Sequence, residues 1–288
     1  MRSLTEASRK FYGHAFHRFK EFVLSNLGDV NPFPAESSAV ALFVTHMFQS
    51  GFAAATIASH LSAISFFHKL FGFPDPTDHF VVRKLLAGVH KSNPSSDNRF
   101  PISLHILYKC LDSAIHICSS AYEAALFRAM CSLMFHAFMR IGEVTLSPNM
   151  VMFHQVSISQ RSLSVTFHKF KHHVGPPIVI TVTANQSKYC PVGLAQQYCS
   201  RRGQDPGPFF AYPGPIPVQA SVFCKLLERA VAWAGFSHLP IKSHSFRIGA
   251  ATWAASQGYS EQQIQAMGRW KSTAFKRYIR IQSFEIKG

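Results

Sequence analysis

The segment "KSHSFRIGAATWAASQG" (Lys242–Gly258) places an imidazole and a guanidinium directly before a run of small residues. His244 and Arg247 are three residues apart, which predicts one shared face on a helix that begins near Ser243 or Ser245. The N–H groups of a helix N-terminus, a guanidinium and an imidazole together favour an anion. The small residues that follow predict a helix that packs closely on its neighbours. A capped, solvent-facing helix start is the plainer interpretation of the same residues.

The composition predicts a globular protein with a polyanionic partner. The chain has 288 residues, enough for two domains with separate cores, and 47% of them are apolar. Lys and Arg total 29 against 14 Asp and Glu, a net charge of +15, which favours nucleic acid or an anionic membrane surface. The six cysteines form no Cys-x-x-Cys pair and several lie in apolar runs, which indicates a reducing compartment. We find no secretion signal and no run long enough to span a membrane.

The pattern of apolar residues predicts two domains. Residues 1–92 contain four segments with helical spacing, which indicates a helical bundle. Residues 93–101 are polar and aperiodic, as expected of a linker. Residues 102–288 begin with two helices, continue into the strands "VMFHQVSIS", "SLSVTFHKF" and "PPIVITVT", and return to helices. The expected fold is mainly α with a small antiparallel sheet: an N-terminal helical bundle followed by an α+β domain.

Three further elements carry candidate chemistry. Arg140 follows an apolar helix and has Glu143 three residues on, as an ordinary helix-end ion pair also would. The strand pair carries basic residues near its turn, in "FHKFKHHVG", where a solvated turn is the plainer explanation. Trp270 and Tyr278 lie among basic residues in "GRWKSTAFKRYIRIQ", although both residue types are usually packed in a core.

Taken together, these residue types suit the cleavage of a phosphodiester. Two arginines can hold both non-bridging oxygens, a lysine can protonate the leaving oxygen and a histidine can act as general acid or base. A tyrosine, with a free pKa of about 10, becomes a nucleophile when cationic neighbours favour the phenolate. Such a site needs neither metal nor cofactor, because the cations neutralise the reacting phosphorus. The cysteines and histidines match no standard zinc spacing.

The chain resembles the tyrosine recombinase (phage integrase-like) family over nearly its whole length. The resemblance is carried by "FMRIGEV", "HSFRIGAATWAA", "MGRWKS" and "KRYIR". It implies the catalytic residues Arg140, Lys171, His244, Arg247, Trp270 and Tyr278, with Glu143 in support. Lys169 is the alternative to Lys171, because both lie on one face of a strand and pattern alone does not separate them. The motif wording is most similar to eukaryotic mobile-element recombinases of the Crypton or DIRS-like kind.

The resemblance also implies a mechanism and partners. A SAM-like core-binding domain and the catalytic domain clamp double-stranded DNA. Tyr278 attacks a phosphodiester, forms a 3′-phosphotyrosyl link and releases a 5′-hydroxyl, and a 5′-hydroxyl of a partner duplex then rejoins the strands. Four protomers assemble on synapsed DNA, with no cofactor, metal, membrane or small-molecule substrate. The location would be nuclear in a eukaryote and cytoplasmic otherwise.

Two other functions remain open from the residues alone. The first is a domesticated mobile-element protein that binds DNA without recombining it. The second is strand relaxation of the type IB topoisomerase kind, which uses similar active-site chemistry. The rival tyrosines, Tyr212 and Tyr259, do not follow the Gly-Arg-Trp motif.

Overall fold

The computed structural model describes residues 4, 6–28, 30–92, 97–168, 170 and 175–280. The chain divides into two units, Met1–Asp97 and Asn98–Gly288. Residues 93–96 of the proposed linker lie outside the described part. Its last residues pair with the second unit, since the Phe100 N–H donates to the Pro240 carbonyl at 3.0 Å. The assignment of 1–92, 93–101 and 102–288 to functional domains stays a prediction.

The first unit is helical, as the apolar spacing predicts. Its helices are α1 (Glu6–Asn26), α2 (Ser37–Gln49), α3 (Ala54–Leu70) and α4 (Phe80–Ser92). One face of α2, with Val40, Phe43, Val44 and Met47, is buried in the core. The rings of Phe19 and Phe43 pack edge to face across α1 and α2, with centroids 5.2 Å apart.

The second unit surrounds one apolar helix. Its helices are α5 (Leu104–Ile117), α6 (Ala121–His136), α7 (Ile141–Val144), α8 (Pro191–Arg202), α9 (Ala220–Trp233), α10 (Ser245–Ser256) and α11 (Glu261–Gly268). Residues 129–135 of α6 are all buried, so protein covers every side of this helix. Ser103 caps α5, where its hydroxyl accepts from the Ile106 N–H at 3.3 Å.

The predicted sheet is present and antiparallel, in the order β1-β2-β3. Its strands are β1 (Val156–Ile158), β2 (Ser162–Phe167) and β3 (Ile178–Thr183). Alternate residues of β2 are buried, and Phe167 at its end pairs with Ile178. Lys169, Lys171 and the rest of 171–174 lie in the connection between β2 and β3, outside the described residues. A second pair, β4 (Ala211–Tyr212) with β5 (Ile216–Pro217), was not predicted, because two residues are too few to show alternation.

Helix α10 approaches the start of the second unit very closely. A Cβ atom on Gly249 would lie 1.8 Å from the Ile102 carbonyl oxygen, so only glycine fits there. The Ile102 N–H donates to the Ser245 carbonyl at 3.1 Å across the same contact. The small residues of the opening segment therefore allow a close contact between α10 and the chain that leads into α5.

No helix in the described ranges is both long and apolar enough to cross a lipid bilayer.

Candidate active site

Arg140 begins a short turn that folds back on Glu143. It is the N-cap of α7, four residues beyond the end of α6. The Arg140 N–H donates to Glu143 Oε2 at 2.8 Å, and its Nη1 donates to Oε1 at 3.2 Å. The Glu143 side chain is only 2% exposed, whereas that of Arg140 is 26% exposed. The helix-end ion pair suggested by the sequence is therefore present, and part of the Arg140 side chain is exposed to solvent.

Arg247 is buried beneath this turn. It lies on α10 and is 1% exposed. Its Nη1 donates to the Phe138 carbonyl and its Nη2 to the Gly268 carbonyl, the latter at 2.7 Å. Its Nε has no hydrogen-bond partner within the described part of the chain. A buried, unpaired N–H of this kind is rare in native proteins, and the Nε of Arg269 is in the same state.

Trp270 covers one face of Arg247. The Arg247 Cζ lies 4.5 Å from the indole centroid, within the range of a cation–π interaction. The same indole packs against Phe138 and Phe275, at centroid distances of 5.9 and 5.6 Å. A Cβ on Gly268 would lie 1.7 Å from the indole, so the glycine of this motif makes room for the tryptophan.

Tyr278 ends a 3-10 helix, Thr273–Tyr278, and lies beside two other predicted site residues. Its ring is 5.0 Å from the imidazole of His244 and 5.7 Å from the indole of Trp270, centroid to centroid. The Thr252 hydroxyl of α10 donates to the Tyr278 carbonyl at 2.9 Å and accepts from the Arg280 N–H at 3.2 Å. Thr252 was not singled out from the sequence.

Arg269 is the main residue that sequence reasoning missed. Its side chain is fully buried. It donates from Nη1 to Glu143 Oε1 at 2.9 Å and from Nη2 to Glu143 Oε2 at 3.0 Å, a two-bond ion pair. Its main chain is left-handed, with φ of 54°, directly after α11. The available signal was an arginine after the glycine at a helix end, where a left-handed residue commonly stands.

The base of the β2–β3 hairpin packs on this arginine. The Arg269 Cζ lies 3.6 Å from the ring centroid of Phe167 and 5.5 Å from that of Phe170. A cleft of about 310 Å³ opens beside it, lined by Phe170, Ile178, Gln262, Gln265, Ala266, Arg269, Trp270 and Lys271. Both candidate lysines, Lys169 and Lys171, lie outside the described residues, so the choice between them stays a prediction.

Charge is crowded in this site. Burial lowers the pKa of Arg247 well below its usual value, and the nearby cations Arg140 and Arg269 lower it further. Burial raises the pKa of the Glu143 carboxyl, but Arg269 and Arg140 outweigh it and the net pKa is lowered. Three guanidiniums thus face one carboxylate. The excess of positive charge suits a bound phosphate.

The structure places six of the predicted site residues in one region of the second unit: Arg140, Glu143, His244, Arg247, Trp270 and Tyr278. Their chemical roles stay predictions. Within the described ranges, no three His, Cys, Asp or Glu side chains gather as metal ligands do.

Comparison with solved structures identifies the fold. The chain is similar to a lambda integrase dimer bound to a COC′ core site, with a TM-score of 0.68 and 15% identity over 99% of this chain and 76% of that one. It is also similar to the Tn1549 transposon integrase in complex with circular intermediate DNA (TM-score 0.66, 14% identity, 98% and 92% covered). A third similar structure is the XerH site-specific recombinase bound to its difH substrate (TM-score 0.61, 15% identity, 93% and 74% covered).

The chain therefore has the tyrosine-recombinase fold, mainly α with a small antiparallel sheet, as predicted. No protein-family model matches the sequence. No curated protein matches it either.

Proposed function

We propose that this chain is a tyrosine-type recombinase that cuts and rejoins DNA through a phosphotyrosyl intermediate. The observation that carries the proposal is the position of the Tyr278 ring, 5.0 Å from His244 and 5.7 Å from Trp270, beside a buried cluster of arginines. The net charge of +15 supports a DNA partner. So does the fold shared with DNA-bound recombinases.

In the proposed first step, the Tyr278 Oη attacks a phosphorus atom of duplex DNA. The new O–P bond replaces the bond to the 5′ oxygen, so a 3′-phosphotyrosyl link forms and a 5′-hydroxyl leaves. The phenol proton passes to a general base, for which His244 is the candidate, since its ring lies 5.0 Å from that of Tyr278. The leaving oxygen takes a proton from Lys171, or alternatively Lys169. A 5′-hydroxyl of a second duplex reverses these bond changes, so no external energy source is required.

Arg140 and Arg247 hold the reacting phosphate in this scheme. Arg140 offers the N–H groups that Glu143 leaves free, and Arg247 offers its unpaired Nε. Since Arg247 is only 1% exposed, phosphate reaches it after the side chains over it move aside. Both arginines stabilise the charge that develops on the non-bridging oxygens in the transition state.

Assembly and origin form the finer part of the proposal. One similar structure is a lambda integrase tetramer bound to a Holliday junction, which supports a tetramer on synapsed DNA here as well. The motif wording supports a mobile-element origin of the Crypton or DIRS-like kind. Under this proposal the first unit is the core-binding domain.

Trapping of the covalent link tests the proposal. The probe is a labelled duplex that carries the terminal sequence of the chain's own element, with a nick close to the scissile phosphate so that religation is blocked. We expect a denaturation-resistant protein–DNA adduct from the native chain and none from Tyr278→Phe. Tyr259→Phe, which alters an exposed tyrosine of the same unit, is the matched control and should form the adduct normally.

Each failure has its own meaning. An adduct that persists in Tyr278→Phe would remove Tyr278 as the nucleophile. Binding without an adduct would establish the DNA-binding function alone. Relaxation of arbitrary supercoiled plasmid would establish the topoisomerase-like function.

A further inference from the structure

Both terminal nitrogens of Arg140 have acceptors that involve Arg269. One acceptor is Glu143, which is also the ion-pair partner of Arg269, and the other is the main-chain oxygen of Arg269. Arg140 Nη1 donates to Glu143 Oε1, the same oxygen that accepts from Arg269 Nη1 at 2.9 Å. Arg140 Nη2 lies 3.4 Å from the main-chain oxygen of Arg269. The orientation of the Arg140 side chain therefore depends on the position of Arg269.

Arg269 also shares an acceptor with Arg247. The Phe138 carbonyl accepts from Arg269 Nη2 at 3.0 Å and from Arg247 Nη1. Phe138 has a φ of 50°, in the left-handed region where a residue with a side chain is rare. Two buried guanidiniums thus fix the turn that leads from α6 into Arg140.

Arg269 further sets the charge available to a ligand. The cluster of Arg140, Arg247, Arg269 and Glu143 sums to +2, from three cations and one anion. Without Arg269 the sum falls to +1, and Arg140 becomes the main counter-ion of a buried carboxylate. The Arg140 guanidinium would then pair with Glu143 and turn away from the phosphate, because a buried carboxylate without a counter-ion costs free energy.

We propose that Arg269 is a positioning residue of this site: it neutralises Glu143, orients Arg140 and Arg247 for the reacting phosphate and keeps the net charge of the cluster at +2. This inference rests on the proposed function. Arg269 itself does not touch DNA in this scheme. Arg269 also stacks on Phe167, at the base of the hairpin that carries the candidate lysines.

The test compares Arg269→Gln with the pair variant Arg269→Gln/Glu143→Gln in single-turnover formation of the adduct on the nicked duplex. Arg269→Gln leaves a charge sum of +1, and we expect its rate to fall by about 10- to 100-fold, as small displacements of reacting groups do. The pair variant restores the sum to +2 and keeps an amide acceptor for Arg140. We expect its rate to return to within about tenfold of the native rate.

The control is Arg201→Gln, which alters an exposed arginine of α8 and should react at the native rate. A purely structural role for Arg269 predicts that the pair variant is at least as slow as Arg269→Gln. That result, or an unchanged rate in Arg269→Gln, overturns the inference while the native adduct keeps the proposed function intact. Absence of an adduct from the native chain overturns both. If Arg269→Gln fails to fold, the test uses the folded pair variant alone. Adduct formation by the pair variant at only the background rate would then overturn the inference.

Discussion

The guanidinium of Arg247 lies under the indole of Trp270, with its Cζ 4.5 Å from the ring centroid. The indole therefore orients a buried cation and, at the same time, packs against Tyr278 and Phe275. A single aromatic side chain joins the proposed phosphate-binding residue to the proposed nucleophile.

This contact predicts a graded effect of substitutions at Trp270. A cation–π contact is worth about 0.5–2 kcal/mol, so Trp270→Ala should slow adduct formation by about 2- to 30-fold through Arg247 alone. Trp270→Phe keeps an aromatic face, so its rate of adduct formation should fall less than that of Trp270→Ala. Trp233→Ala, at a half-exposed tryptophan of the same unit, should react like the native chain. Equal rates for Trp270→Ala and the native chain would contradict this account.

The close packing at Gly249 predicts a loss of stability on substitution. At Gly249 an added Cβ meets main-chain atoms of Ile102, which no side-chain rotation relieves. Overpacking of this kind costs about 1–3 kcal/mol, and Gly249→Ala should unfold at correspondingly lower denaturant concentration. Gly193→Ala, in α8 of the same unit, meets only Cys190 Cβ at 3.7 Å and should be neutral or slightly stabilising. Equal midpoints for the two variants would disprove the close contact.

Glu143 predicts a pH dependence of stability. Its carboxyl pKa is lowered in the folded chain, because Arg269 and Arg140 outweigh the effect of burial. A group with a lowered folded pKa stabilises the fold above its unfolded value, here 4.5, and that contribution is lost as the pH falls through the lower folded value. The free energy of unfolding should therefore decrease below pH 4.5 more steeply in the native chain than in Glu143→Gln. Parallel curves for the two proteins would exclude a shifted Glu143.

The candidate lysines can be separated by the leaving group. If a lysine protonates the departing 5′ oxygen, its replacement by Met should slow cleavage by about 10²- to 10⁴-fold. A substrate with sulfur at the 5′ bridging position has a better leaving group, which departs without a proton. We expect this substrate to restore cleavage in Lys171→Met. We expect Lys169→Met to cleave both substrates at the native rate. The reverse pattern would assign the role to Lys169.

Much of the site could be predicted from the sequence, because the residues within each motif are close together along the chain. His244 and Arg247 lie within one helical turn, as do Arg140 and Glu143, so spacing alone predicted their proximity. The α10 helix and strands β1 to β3 were likewise predicted from local stretches of sequence.

Arg269 shows why the remainder was not predicted. An arginine after a glycine reads as a solvated helix end, because arginines are almost never fully buried unless they are paired. Its partner Glu143 lies 126 residues earlier in the chain, and no local pattern records that contact. The β4–β5 pair was not predicted for a different reason. Its strands have two residues each, which is too few to show an alternating pattern.

The hydroxyl of Thr252 ties the Tyr278 carbonyl and the Arg280 N–H to α10, the helix that also carries Arg247. The proposed nucleophile and the proposed phosphate-binding arginine are thereby held together within one chain. The stoichiometry of the proposed reaction follows: each protomer brings a whole site to the DNA. A mixture of Tyr278→Phe and Arg247→Gln chains should consequently show no complementation.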